Sequence, residues 1–293
     1  MDNFQKIISI ILSKEDKPHS LYHYSNQAGL MGILKSKKIW ATNILYFNDS
    51  MEFKYASQLI RREFRQIFSS NDKNKNAFYD LIDRSNILKE YEVYVSSFSR
   101  EKDLLSQWRA YCPKNDGYSI GFKFDELSKY STQLSQSILL PCVYNQKDKK
   151  NIIDNLKQFV LSELINILEL NKNSKSQIED KLESLSNTYT KMFLLVVSVL
   201  KDDSFSEEKE WRIIYFKSKK EDSTLINFRA GTSTIIPYVE LELKTKFRFF
   251  PLSEIIIGPN QYKQLARESL KIYLNSLNLK CKITSSRVPY RVI

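Results

Sequence analysis

Two long segments with helical periodicity, roughly residues 150–170 and 174–200, interrupt a chain whose other ordered parts read mostly as short strands, and that interruption constrains the fold most. Before them come LYHYS (21–25), IWAT (39–42), YEVYVSSFS (91–99), GYSIGFKF (117–124) and ILLPCVY (138–144). After them come EWRIIYF (210–216), TIIPYVELEL (234–243), SEIIIGP (253–259) and CKITSS (281–286). Each run is short and rich in β-branched and aromatic residues. A single core therefore requires a sheet assembled from distant parts of the chain, with a helical insertion over 148–202. The expected class is α+β, in one domain spanning 1–293.

Helical spacing also marks NQAGLMGILKSKK (26–38), where Leu30, Ile33 and Leu34 face inward, and the segment from Phe47 to Phe68, with Asp49 or Ser50 as N-cap and Phe53 opening the apolar stripe. Further helices are expected over 75–88 and over QYKQLARESLKIYLNSL (261–277), and DLLSQWRAYC (103–112) reads as a turn or short helix. At the N-terminus, residues 1–17 place Phe4, Ile7, Ile8, Ile11 and Leu12 at helical spacing. No small-residue cleavage pattern follows, so an amphipathic helix is expected rather than a signal peptide.

The longest apolar run, FLLVVSVL (193–200), is less than half of the ~20 residues a bilayer-spanning helix needs. Cys112, Cys142 and Cys281 are scattered and form no CxxC pair, and the chain holds only two histidines, His19 and His23. Neither a disulfide framework nor a metal site is indicated, and a reducing cytoplasmic setting is expected. Six glycines and the lack of GxGxxG or Walker sequences argue against a glycine-rich phosphate cradle. The net charge of +11 favours an anionic partner such as nucleic acid or a nucleotide, although lysine-rich stretches such as NDKNKN and NQKDKK explain much of it as solvated surface.

Seven short motifs in order, LYHYS, LYFNDSMEF, SSFSREKDLLSQWRAY, GYSIGF, EEKEWRII, IIPY and EIIIGP, resemble the bacterial family called domain of unknown function 2971, over roughly residues 20–260. That family in turn resembles the ADP-ribosyltransferases, some of whose relatives are associated with abortive phage resistance. The resemblance implies a split, mostly antiparallel sheet core with surrounding helices around an NAD cleft. It also implies three strand-borne motifs: His23 falls in the first, Ser97 in the second and Glu210 in the third. The first motif reads HY where the poly-ADP-ribosylating class has HG, and the second reads SFS where the Arg-Ser-Glu class has STS.

Breaking the nicotinamide–ribose bond develops positive charge on the ribose, which a fixed carboxylate stabilises. In a continuous strand Glu208 and Glu210 share a face while Lys209 and Trp211 point away, so both are catalytic candidates. The alternative for the same cluster is a solvated strand edge. His23 is suited to bind a ribose hydroxyl or phosphate, with Tyr24 on the opposite face. Ser97 and Ser99 share a face with Tyr91, Val93 and Val95, away from Tyr94, Ser96 and Phe98. Trp108, Arg109 and Tyr111 would present aromatic rings and a cation to the nucleotide. Asn48, Asp49 and Glu52 are rim residues or a helix cap.

The leading expectation is an NAD-dependent ADP-ribosyltransferase that modifies a macromolecule, nucleic acid ahead of protein, in phage defence or as a toxin. The alternatives are an NAD glycohydrolase, a non-enzymatic sensor of a nucleotide or phage component, and a basic nucleic-acid-binding protein.

Overall fold

The computed structural model describes residues 3–47, 50–65, 76, 79, 81, 91–112, 117–133, 136–169, 175–219, 225–243 and 250–289. Its sheet is organised around β3 (Tyr91–Ser99). Alternation along this strand turns Val93, Val95, Ser97 and Ser99 to one face and Tyr94, Ser96 and Phe98 to the other, as the sequence predicts. One edge of β3 pairs over its whole length with β6 (Glu210–Ser218), from Tyr91↔Ser218 to Ser99↔Glu210, and β5 (Ser137–Pro141) adds beyond β6.

The other edge of β3 is divided between two strands. β1 (Ser20–Asn26) meets it at Tyr22↔Ser99, and β2 (Lys38–Asn43) meets it at Thr42↔Val95 and Asn43↔Tyr94. Both are antiparallel to β3 and therefore run parallel to each other, so they compete for one edge and splay apart. From β1 the sheet continues through β4 (Gly117–Lys123), β9 (Leu252–Ile257) and β10 (Lys282–Ser285). From β2 it continues through β8 (Ile235–Glu242) and β7 (Asn227–Ala230). All these pairings are antiparallel except β9 with β10.

The parallel relation of β1 and β2 requires a crossover, and α2 (Gln27–Ser36) supplies it. The Asn26 side chain caps its start by accepting from the Gly29 amide at 2.8 Å. A Cβ on Gly29 would stand 2.0 Å from Ser25 Oγ, so any larger residue there requires the Ser25 side chain to turn away. At the other end Lys37 takes the left-handed conformation (φ 57°) and its amide donates to the Ile33 carbonyl.

Helices cover both faces. α1 (Asn3–Leu12), α3 (Ser50–Arg65), α6 (Gln146–Glu169) and α7 (Lys175–Val199) bury Val93, Val95, Leu140 and Ile214 in one core. α2, α5 (Phe124–Gln133) and α8 (Lys263–Ser276) bury Tyr94, Phe98, Leu139, Trp211 and Ile213 in the other. The run FLLVVSVL is buried on all sides as the last turns of α7, which explains its uniformly apolar composition. No helix among the described residues is long and apolar enough to cross a membrane.

The outcome is the expected α+β class with a mostly antiparallel, open sheet. The strand EWRIIYF begins at Glu210 as expected, but it does not reach back to Glu208, because Asp203–Glu208 form a 3₁₀ turn; the four-residue β7 is unexpected and carries too little alternating pattern to read from sequence. The helix expected over 75–88 falls outside the described residues apart from Asn76, Tyr79 and Leu81.

Candidate active site

On the sheet face that carries Val93 and Val95, the helical cover is in two parts. The large helical group covers β3, β5 and β6, while the short α4 (Leu105–Tyr111) packs Trp108 against Tyr22, Tyr24 and Ile256. Between them the same face is polar: Ser97 and Ser99 on β3 lie opposite Arg212 and Glu210 on β6. This seam holds a dense ionic cluster.

Lys201 Nζ lies 2.7 Å from Glu210 Oε2, 2.6 Å from Glu208 Oε2 and 3.1 Å from Glu52 Oε1. Arg212 clasps Glu210 through Nε (2.8 Å) and Nη2 (3.0 Å), reaches Glu52 Oε2 at 2.7 Å, and donates through Nη1 to the Ser198 carbonyl at 2.9 Å. An aromatic ring caps each cation, Phe205 over Lys201 at 5.0 Å and Phe47 over Arg212 at 5.6 Å. Glu210 and Arg212 are nearly wholly buried, whereas the Glu208 side chain keeps 17% of its surface.

Four segments bring these groups together, each for a local reason. Glu52 stands in the first turn of α3, where the helix dipole favours a carboxylate. Lys201 and Arg212 approach the C-terminal end of α7, where it favours cations. Lys201 is fixed there because its amide donates to the Val143 carbonyl at 3.1 Å and the Val143 amide donates to Val199 at 2.8 Å. The Glu208–Glu210 link turns through Lys209, which is left-handed (φ 41°), and the Ser99 hydroxyl donates to the Glu208 carbonyl at 2.7 Å. The Glu210 amide donates to the Tyr144 hydroxyl at 2.9 Å.

Three carboxylates face two cations, so one negative charge is left over. Burial works against the charged form of Glu210, but Arg212 and Lys201 beside it prevail and hold its carboxyl at about 2. Glu208 goes the other way: burial raises it, although Lys201 pulls against the rise. The point on which the three carboxylates converge is filled by the Lys201 ammonium, and among the described residues no group of three or more His, Cys, Asp or Glu is placed to hold a metal ion.

Residues 107–213 match the family described as Protein of unknown function (DUF2971). No curated protein and no solved structure matches the chain. The matched stretch runs from α4 to β6, taking in Tyr111, Tyr144, Lys201, Glu208, Glu210 and Arg212. It omits Glu52 and all of β1. It is also narrower than the 20–260 span suggested by the motifs.

Of the residues singled out from the sequence, Glu208, Glu210, Ser97 and Ser99 lie along the seam. Glu208 reaches it from the 3₁₀ turn and the left-handed Lys209, not by strand alternation. Ser99 is already committed, donating to Glu208 and accepting from the Glu101 amide at 2.9 Å.

His23 does not face the seam. The Tyr22↔Ser99 register puts Tyr22 and Tyr24 on the Glu210 face and turns His23 to the opposite face, where its ring lies 5.7 Å from Phe98. His23 Nδ1 is 2.9 Å from the Ser97 carbonyl in the gap between β1 and β2; a carbonyl only accepts, so Nδ1 carries the proton. Burial pushes the ring's pKa down, which keeps it neutral.

Tyr24 donates to the Glu101 carbonyl at 2.8 Å and accepts from the Leu104 amide at 3.0 Å, so its hydroxyl serves the β3–α4 loop. Trp108 is fully buried, edge-on to Tyr24 and bonded through Nε1 to Asp103 at 2.8 Å, which removes it as a stacking surface for a nucleotide. Arg109 is exposed on α4. Tyr111 is 45% exposed, yet its phenol is pushed up to about 12 by desolvation and by Glu210 and Glu208, so its hydroxyl end looks toward the cluster. Asn48 and Asp49 lie outside the described residues, and Glu52 is a full member of the cluster.

Lys201, Arg212 and Tyr144 were not foreseen. Arg212 was visible two places after Glu210 on the same strand face. Lys201 follows an apolar run as an ordinary flanking charge, and Tyr144 ends an apolar strand segment; neither carries a local signal of its role.

Proposed function

We propose that the polar seam is the site of an NAD-consuming reaction that cleaves the nicotinamide–ribose bond and passes ADP-ribose to a macromolecular acceptor, nucleic acid ahead of protein. The observation that carries this reading is the surplus negative charge of the cluster, partly withdrawn from water and fixed in place. Nicotinamide in NAD is a cation, and the ribosyl centre becomes cationic as it leaves. An anionic surface that is preorganised and desolvated stabilises both. The C1′–N bond breaks with its electron pair remaining on nicotinamide, which departs neutral. The acceptor's lone pair then bonds C1′, and its proton passes to the Glu208–Glu210 pair or to solvent. Tyr111 offers a partly exposed ring within electrostatic reach of the carboxylates, whereas Arg109, two residues away on the same helix, points to a different side. The net charge of +11 favours a nucleic-acid acceptor.

A second reading, recognition of a nucleotide without turnover, draws on one specific fact: both oxygens of Glu210 are already engaged by Lys201 and Arg212. Nicotinamide release from NAD by the wild type and by the double variant Glu208→Gln/Glu210→Gln separates the two. Turnover lost in the double variant supports catalysis. Calorimetric binding of NAD with no nicotinamide released supports recognition, and neither binding nor release refutes an NAD site altogether.

A further inference from the structure

The members of the cluster divide into groups whose hydrogen-bonding capacity is spent inside it and groups with capacity left over. Glu210 accepts from Lys201 on Oε2 and from Arg212 on both oxygens, and it is buried. Arg212 is tied to Glu210, Glu52 and the Ser198 carbonyl, and Lys201 to three carboxylates.

Toward solvent the situation differs. Glu208 receives Lys201 on Oε2 only, and Oε1 has no partner among the described residues. The half-buried Tyr144 accepts the Glu210 amide, so its own hydroxyl hydrogen remains to be donated, and no described residue accepts it. Tyr111 makes no hydrogen bond to a described residue through its hydroxyl, although that end senses Glu210 and Glu208. One open acceptor and two open phenols therefore edge the charged cluster: the complement of a hydroxyl-bearing cationic ligand such as a ribosyl group.

We infer that Glu208 is the carboxylate that touches substrate, that Tyr144 and Tyr111 hold the substrate's hydroxyl groups beside it, and that Glu210 is a positioning residue that fixes Lys201, Arg212 and the Tyr144 hydroxyl from behind. This assignment rests on the NAD-consuming reading for its substrate, and on the hydrogen-bond inventory for its division of roles. The groups facing Glu208 are Lys201 after α7, Glu210 on β6, Glu52 on α3, and Tyr111 on α4. Its carboxyl is raised by burial against the pull of Lys201, so the acid limb of activity lies above the ordinary value for a Glu side chain and belongs to Glu208; activity rises as pH climbs through that limb.

The full chain is treated at pH 5 with a water-soluble carbodiimide and glycine ethyl ester, with and without NAD, and the labelled peptides are read by mass spectrometry. Glu208 is expected to label severalfold faster than Glu210 and to be protected by NAD. Glu210 labelling as fast as Glu208 overturns the division of roles. Preferential labelling of Glu208 without protection by NAD leaves that division standing and refutes NAD as the ligand. In turnover, Glu208→Gln is expected to lower kcat about 100-fold or more, with KM and Tm nearly unchanged and the acid limb lost. Tyr144→Phe is expected to raise KM about tenfold, the worth of one hydrogen bond, and also to lower Tm, because the Glu210 amide loses its acceptor. Glu210→Gln lowers Tm. A stable, inactive Glu210→Gln beside a fully active Glu208→Gln reverses the assignment.

Discussion

Glu210 neutralises two buried cations and is neutralised by them, which makes it sensitive to the loss of a single proton-accepting charge. Glu210→Gln leaves Glu52 and Glu208 to balance Lys201 and Arg212 but breaks the buried pair that each cation makes with Glu210, and it is expected to lower stability by about 3 to 5 kcal/mol, read from urea denaturation at pH 7. The pH dependence has a definite sign. Folding depresses this carboxyl from 4.5 to about 2, so its stabilisation is complete above 4.5 and is lost as pH falls toward 2; the amount is on the order of 3 kcal/mol. Denaturation midpoints of the wild type should fall over that window, and those of Glu210→Gln should fall less. Glu208, whose carboxyl is raised, opposes folding once ionised and contributes nothing to that acid loss. At His23 the expected effect is structural: His23→Phe strands the Ser97 carbonyl in the gap between β1 and β2 and costs about 1–3 kcal/mol by the same measurement. Because burial lowers the His23 pKa, the fold favours the neutral ring: stability is unaffected above pH 6.5, is lost progressively as pH falls below it, and His23→Phe is expected to remove that loss.

Elements were legible wherever one local rule governed them. The alternation of YEVYVSSFS placed Ser97 and Ser99 on the right face, and the Leu30, Ile33, Leu34 stripe of α2 is buried as its spacing predicts. What escaped depended on registers and joints. The face of His23 follows from one cross-strand pair, Tyr22↔Ser99, which no local pattern encodes. The pairing of Glu208 with Glu210 follows from the joint at Lys209, whose left-handed backbone brings both carboxylates to one ammonium although only one stands in the strand. That joint is testable. A β-branched residue disfavours positive φ, so Lys209→Ile is expected to lower stability by about 1–2 kcal/mol, whereas Lys209→Gly leaves it near that of the wild type. Equilibrium denaturation of the two variants gives the order, and stability of Lys209→Ile equal to that of Lys209→Gly would show that the joint carries no strain.

Across the whole molecule, one branched sheet carries two arms from a shared strand, and the helical pair of α6 and α7 supplies most of the core on one face. Those helices interrupt the sheet in sequence but not in space. Replacing residues 146–199 by a short linker would expose Val93, Val95, Leu140 and Ile214 together, and gel filtration is expected to show aggregate rather than a soluble monomer.

The ionic cluster ties Glu52 to Arg212 across 160 positions of chain, with Lys201 between them. Contacts of such separation form only after the intervening chain has been organised, so they contribute little at the folding barrier. Glu52→Gln should therefore leave the refolding rate nearly unchanged and speed unfolding, a shift confined to one limb of a stopped-flow chevron. The lifetime of the folded chain, more than the speed of its folding, is then what the contacts of Glu52 set.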